Sequence, residues 1–307
     1  MYDAFACNLG NETNALNFAD LSCFPACANG NPFTYFNAQY SSLYGWASIG
    51  TSSYNAGQVT IRHRMSHGLQ FDFNYTYSKS IDWGSDAERF SVTGGTGTSL
   101  PIVNTWFPEQ MRAVSDYDTT HAFNANWIYQ LPFGKGKAVA SQANRFEETL
   151  IGGWQFSGLF RATSGLPFYA INGLGNFATN WNVNGMGVQI APVHTGLYHS
   201  SAGVPQVFAD PLNVAQNGYR LAYPGESGMR NNLRGQGYFG IDVSLAKTFQ
   251  ITERQSVRFS WDVFNVTHSV RFDPASLTNA LNSSSFGQYS NILTKARVMQ
   301  FALRYSF

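Results

Sequence analysis

A chain of 307 residues with 12% charged and 16% aromatic residues can bury a core of its own, yet lacks the charged surface of an ordinary soluble domain. Its net charge of +1, with Lys and Arg scattered singly, excludes the basic footprint of a nucleic-acid binder. No window holds the roughly 18 to 20 consecutive apolar residues of a membrane helix, so any crossing of a bilayer must be made by strands.

In chain order, residues 1–50 come first. Their start, MYDAFACNLGNETNALNF, has no basic stretch followed by an apolar core, and no signal peptide is expected there. Cys7, Cys23 and Cys27 fall in this region without the histidine or second cysteine pair of a zinc site. Their polar, loop-like surroundings favour a disulfide, within CFPAC or from Cys7 to one of that pair. Residues 32–47, PFTYFNAQYSSLYGWA, offer a partial strand.

From residue 51 to the end, one rule recurs. In GQVTIRHRMS, Val59 and Ile61 alternate with Thr60, Arg62 and Arg64; in HGLQFDFNYTYSKSID, Leu69, Phe71, Phe73, Tyr75 and Tyr77 alternate with Gln70, Asp72, Asn74, Thr76 and Ser78. The pattern continues through HAFNANWIYQL, GGWQFSGLFRATSG (where Leu159 joins the polar side), YFGIDVSLAKTF, SVRFSWDVFNV and the closing RVMQFALRYSF. These seven segments are expected strands with one oily and one wet face. Only ASQANRFEETL (140–150) and FADPLNVAQNG (208–218) have a plausible helical spacing.

Strands of about ten residues, aromatic at the ends of the apolar face, are expected where a sheet separates lipid from an aqueous lumen. A soluble β-sandwich also alternates, but its strands tend to be shorter and its outer faces richer in Lys and Glu. Connection lengths give a separate test: counted back from the C-terminus, the shorter links (65–68, 132–150, 250–255) fall at one end and the long ones (82–117, 171–236, 269–294) at the other, as in barrels with short periplasmic turns and long external loops. The expected fold is therefore all-β, an antiparallel transmembrane β-barrel segment of about seven or eight strands with long extracellular loops.

No set of side chains announces catalysis, a cofactor or a metal. His63 and His67 with Arg62 and Arg64 sit beside a turn and read as interfacial groups. Asp116, Asp118 and His121 read as polar groups at the rim, as do Asp82, Asp86, Glu88 and Arg89; GGTGTS lacks the lysine of a phosphate loop. Arg62, Arg64, Arg161, Arg258 and Arg304 against Asp72, Asp242 and Asp262 suggest a ladder of opposite charges inside the lumen. The candidates for ligand contact are the loop aromatics Trp83, Trp106, Phe107, Trp181 and Tyr198, with Phe177 beside them.

Several stretches resemble a known family. SSYNAGQVTIRHRMSHGLQFDFNYTYSKSID, SDYDTTHAFNANWIYQLPFGKGK, IGGWQFSGLFRATSGLPF, NNLRGQGYFGIDVSLAKTFQITERQSVRFSWDVFNVTHSVRFD and FGQYSNILTKARVMQFALRYSF are similar, in this order, to the Oar-like TonB-dependent outer-membrane receptors. The resemblance spans about residues 50–307. It implies the C-terminal part of a barrel of about 22 strands, with residues 1–50 a remnant of an extracellular loop. It further implies a cell outer membrane location, solute uptake without enzymatic activity, and lipid, the barrel-assembly machinery, a plug domain and the TonB complex as partners. Phe307 resembles the terminal aromatic that the assembly machinery reads. A small self-contained barrel, pore or adhesin, completed by residues 32–47, is the alternative.

Overall fold

Successive side chains leave a strand on opposite faces, so a period of two lets one face be apolar and the other wet. Each segment with that period is a strand in the computed structural model, which describes residues 50–85, 107–171, 186–222 and 226–307. The strands are β1 (Ser52–Ser66), β2 (Leu69–Asp82), β3 (His121–Gln130), β4 (Trp154–Thr163), β5 (Tyr238–Gln250), β6 (Ser256–Phe264) and β7 (Val298–Ser306). They pair antiparallel in chain order, each with its sequence neighbour, and the short segment Ala113–Val114 adds to the end of β2. Among the described residues the sheet stays open, with β1 and β7 at its edges. The strand proposed from 32–47 and the three cysteines lie outside the described residues.

The register carries the alternation across all seven strands. Ile61 lies opposite Phe73, Phe73 opposite Ala125, and Ala125 opposite Phe160. The row continues with Phe160 opposite Ile241, while the next rows bring Leu245 to Trp261 and Trp261 to Phe301. On the reverse face the equivalent row reads Thr60, Asn74, Asn124 and Arg161. A slip of one residue anywhere would turn a strand inside out, so this agreement is what fixes the pairing. Leu159 is the exception expected from the sequence: it sits on the polar face between Asn126 and Asp242, and is 61% exposed.

Long and short connections segregate completely. At one end are the turn His67–Gly68 and the links 131–153 and 251–255; at the other are 83–120, 164–237 and 265–297. The first turn is tighter than expected because β1 runs through to Ser66 and the chain reverses with both His67 (φ 49°) and Gly68 (φ 81°) left-handed, the conformation that suits a two-residue hairpin. A Cβ on Gly68 would lie 2.8 Å from the carbonyl oxygen of Gln130, so glycine is required on two counts. The link 131–153 contains helix α1 (Arg145–Ile151), one turn later than the periodicity suggested. Asn144 caps it: its Oδ1 accepts from the N–H groups of Phe146 and Glu147, while Glu147 reaches back to the N–H of Asn144. The second expected helix is a short turn, Pro211–Asn213, that widens over Val214–Gly218.

Candidate functional site at the loop end of the sheet

β1 has 15 residues and β2 has 14, more than the about 9–11 that cross a bilayer. The excess of β2 projects at the long-loop end, and its polar positions there are not wet. Ser78, Ser80 and Asp82 are all buried, because the first and second long connections fold over that face. Ser80 Oγ meets Ser115 Oγ at 2.8 Å, the Ser80 N–H donates to Asp118 Oδ1 at 2.7 Å, and Ser78 Oγ donates to the Thr119 carbonyl.

One cation ties this seam together. Arg230, whose side chain is 3% exposed, donates from Nη1 to Asp82 Oδ1 at 2.7 Å and from Nη2 to Asp116 Oδ1 at 3.1 Å and Ser85 Oγ at 2.7 Å. Asn231 donates to the Val114 carbonyl and to Asp116, while Arg234 pairs with Asp118 and donates to the carbonyls of Asp118 and Gly165. The buried cation is tolerable because both terminal nitrogens of its guanidinium meet a carboxylate, with Ser85 Oγ and backbone carbonyls beside them. The backbones close in as well: a Cβ on Gly165 would lie 1.9 Å from the Gly235 carbonyl oxygen.

These contacts correct two expectations. Asp82, Asp116 and Asp118 are not rim groups; they are buried anions of a loop-to-sheet clasp. His121 does not join Asp116 and Asp118, since it pairs with Tyr77 on the apolar face, where its Nδ1 meets the Tyr75 hydroxyl at 2.9 Å. Arg230 and Arg234 were missed, although they are among the few charges of a long connection otherwise rich in Gly and Asn. Asp86, Glu88, Arg89 and the GGTGTS stretch lie outside the described residues.

Two apolar clusters complete the cap. Met111, Tyr169, Met186 and Ala222 join the first connection to the second, and Phe168, Ala170, Val207, Phe208, Tyr219, Leu233, Phe286 and Tyr289 join the second to the third. The rings of Phe208 and Phe286 stack at 5.2 Å. Burial pushes the Tyr219 and Tyr289 hydroxyls above the ordinary tyrosine value of 10.0, against weaker opposing hydrogen bonds from Asn232 and the Gln236 N–H. The folded cap therefore prefers both phenols neutral. That contribution is intact below the ordinary value and drains away as pH rises past it toward the shifted one. Subtilisin cleavage of the cap is expected to accelerate above about pH 10, and a Tyr219→Phe, Tyr289→Phe double variant should lose much of that dependence.

The aromatic candidates separate. Trp83 is half-buried and packs against the Met111–Met186 cluster, so it is not an exposed loop ring. Phe107 is 56% exposed at the entry to the one-turn helix Pro108–Met111, and Tyr198 is 37% exposed in a two-residue ladder with Pro205–Gln206. Trp106, Phe177 and Trp181 lie outside the described residues. Three buried polar atoms in the Arg230 seam, Trp83 Nε1, Ser227 Oγ and Asn231 Oδ1, have no partner among the described residues.

On the polar face below the cap, the expected ladder of opposite charges forms only in part. Arg62 Nε donates to Asp72 Oδ1 at 2.7 Å, but Arg258 lies opposite Arg304, and Arg161 sits over the Tyr238 ring. Asp262 accepts from Ser244 and Ser260, and Asp242 accepts from the Asn265 N–H at 2.7 Å where β6 ends. His63 stacks on Phe71 at 5.4 Å and His67 occupies the turn, so the two histidines form no shared site. Phe307 follows the end of β7, 92% exposed, with its ring 5.6 Å from that of Tyr305.

The arrangement amounts to a wall with one apolar and one polar face, overlain at one end by three interlocked loops. The sequence model of one protein family, described as an outer membrane beta barrel domain, matches residues 7–300. No curated protein and no solved structure matches the chain.

Proposed function

We propose, from the premise that this chain belongs to the outer membrane beta barrel domain family and lies in the outer membrane, that it is part of the wall of a TonB-dependent, Oar-like uptake receptor. The observation that carries this reading is the cap: long loops are clasped onto the polar face of β2 by Arg230 and fold over that end of the sheet, where a passive pore needs a clear path. In this reading the long connections are extracellular, the short ones periplasmic, and the apolar face meets lipid. The chain binds and passes a solute, with no chemistry of its own and no cofactor. Partners are the plug that fills such a barrel, the TonB complex that energises it, and the assembly machinery, for which Phe307 is the handle. Cargo is met at the loop end, where the rings of Phe107 and Tyr198 are exposed.

Uptake distinguishes a receptor from a pore. A strain lacking the gene is to be compared with its parent for uptake of labelled ferric siderophores and of labelled malto- and xylo-oligosaccharides. The receptor reading expects uptake of at least one of these classes to fall at least tenfold, and the parental uptake to stop when a protonophore collapses the inner-membrane gradient. A deficit in uptake that is insensitive to the protonophore in the parent would establish the small-pore alternative instead, and no deficit in either class would refute transport of these solutes.

A further inference from the structure

Helix α1, in the short-end link between β3 and β4, is built with its two carboxylates engaged and its apolar side chains exposed. Glu147 closes the capping box, and the Glu148 carboxylate accepts from the Lys135 N–H while lying against Gly134 and Gly152. Phe146 is 73% exposed, Leu150 57% and Ile151 39%, and the helix buries none of its residues. Residues four apart share a helix face, so Phe146 and Leu150 make one apolar stripe that nothing in the chain covers among the described residues.

The end of the helix is fastened to the apolar face of the wall. Trp154 Nε1 donates to the Leu150 carbonyl at 3.0 Å, and Lys247 Nζ donates to the Gly152 carbonyl. Lys247 lies opposite Trp154 in the register, with its ammonium 5.2 Å from the centroids of both the Trp154 and Phe249 rings. Lys247 is itself buried, its ammonium held on the Gly152 carbonyl beside these rings, so the helix end is pinned at the edge of the wall's aromatic, apolar face. The exposed stripe is thus continuous with the lipid-facing surface, and Lys135, Lys137 and Arg145 are exposed beside it.

We infer that α1 is an interfacial anchor: it lies along the periplasmic leaflet with Phe146, Leu150 and Ile151 in the acyl boundary and the three basic residues near phospholipid phosphates. This rests on the reading of the short-turn end as periplasmic and of the apolar face as lipid-facing. The occupant is phospholipid, because the stripe adjoins the wall's own lipid surface.

The test uses the full chain with its native cysteines changed to serine, folded into phosphatidylethanolamine–phosphatidylglycerol vesicles. Phe146→Cys, Leu150→Cys, Ser141→Cys and Leu303→Cys each carry an environment-sensitive fluorophore; all four positions are exposed, so none should disturb the fold. Expected are blue-shifted emission and severalfold stronger quenching by spin-labelled lipid at 146 and 150, as at 303 on β7, with 141 open to aqueous iodide. Iodide access at 146 and 150 with lipid quenching at 303 would overturn the anchor alone. Iodide access at 303 as well would overturn the membrane-wall reading beneath it. Shielding at 146 that vanishes on diluting protein at constant lipid would assign the stripe to a second copy of the chain and overturn the proposal.

Discussion

Replacing Arg230 by methionine is expected to loosen the loop cap by about 3–5 kcal/mol, the usual cost of removing one partner from a buried ion cluster. The substitution leaves Asp82 and Asp116 buried without their cation and removes donors from Ser85 and the Met111 carbonyl. Methionine fills much of the arginine's volume, so the loss is electrostatic rather than a cavity. The seven strands are held by their own ladders and should persist. Limited proteolysis in detergent micelles should therefore cut within 83–120 and 164–237 many times faster, while the strand core survives as a protected fragment. The comparison is Arg62→Met, which removes an ion pair whose arginine is 70% exposed on the polar face; its effect should stay below about 1 kcal/mol.

Phe73→Arg should be nearly as severe, and for a different reason. Phe73 sits in the middle of β2, between Ile61 and Ala125 on the apolar face, with Phe123 at 6.4 Å between ring centroids. A guanidinium at mid-membrane on a lipid-facing strand costs about 2–4 kcal/mol. Its neighbour Asn74 faces the other way, accepting from Thr60 Oγ1 at 2.9 Å and lying opposite Asn124. Asn74→Arg should cost well under half as much, because the cation gains water. Urea titration of the folded band on a semi-native gel measures both, and equal effects would contradict the assignment of faces.

What the sequence revealed and what it hid follow from range. A period of two is local, so every long strand was legible, down to the displaced Leu159, and the short links followed once strand ends were known. Helix α1 was legible only as a helical spacing over 140–150; its start is set by the capping box of Asn144 and Glu147. The clasp was not, since Arg230 is 148 residues from Asp82 and 114 from Asp116, and nothing in either neighbourhood names the other. Charged groups with unseen partners look like a hydrated rim. The charge ladder was legible only in part for the same reason: composition supplied both signs, but register decides which side chains meet, and it paired Arg62 with Asp72 but set Arg258 against Arg304. Trp83 reads from sequence as an exposed loop ring, since the apolar partners that half-bury it come from other parts of the loops.

The claim on which the rest depends is that the continuous apolar face meets lipid and the polar face water. Strand β3 tests it best, being paired on both sides by β2 and β4. Single cysteines at each position from 122 to 130, labelled with a fluorophore in folded, vesicle-inserted protein, should give quenching by spin-labelled lipid at Phe123, Ala125, Trp127 and Tyr129. Quenching by aqueous iodide should appear at the residues between them, Asn124, Asn126 and Ile128 included. Lipid quenching absent from both sets, or following the even positions, would contradict the account.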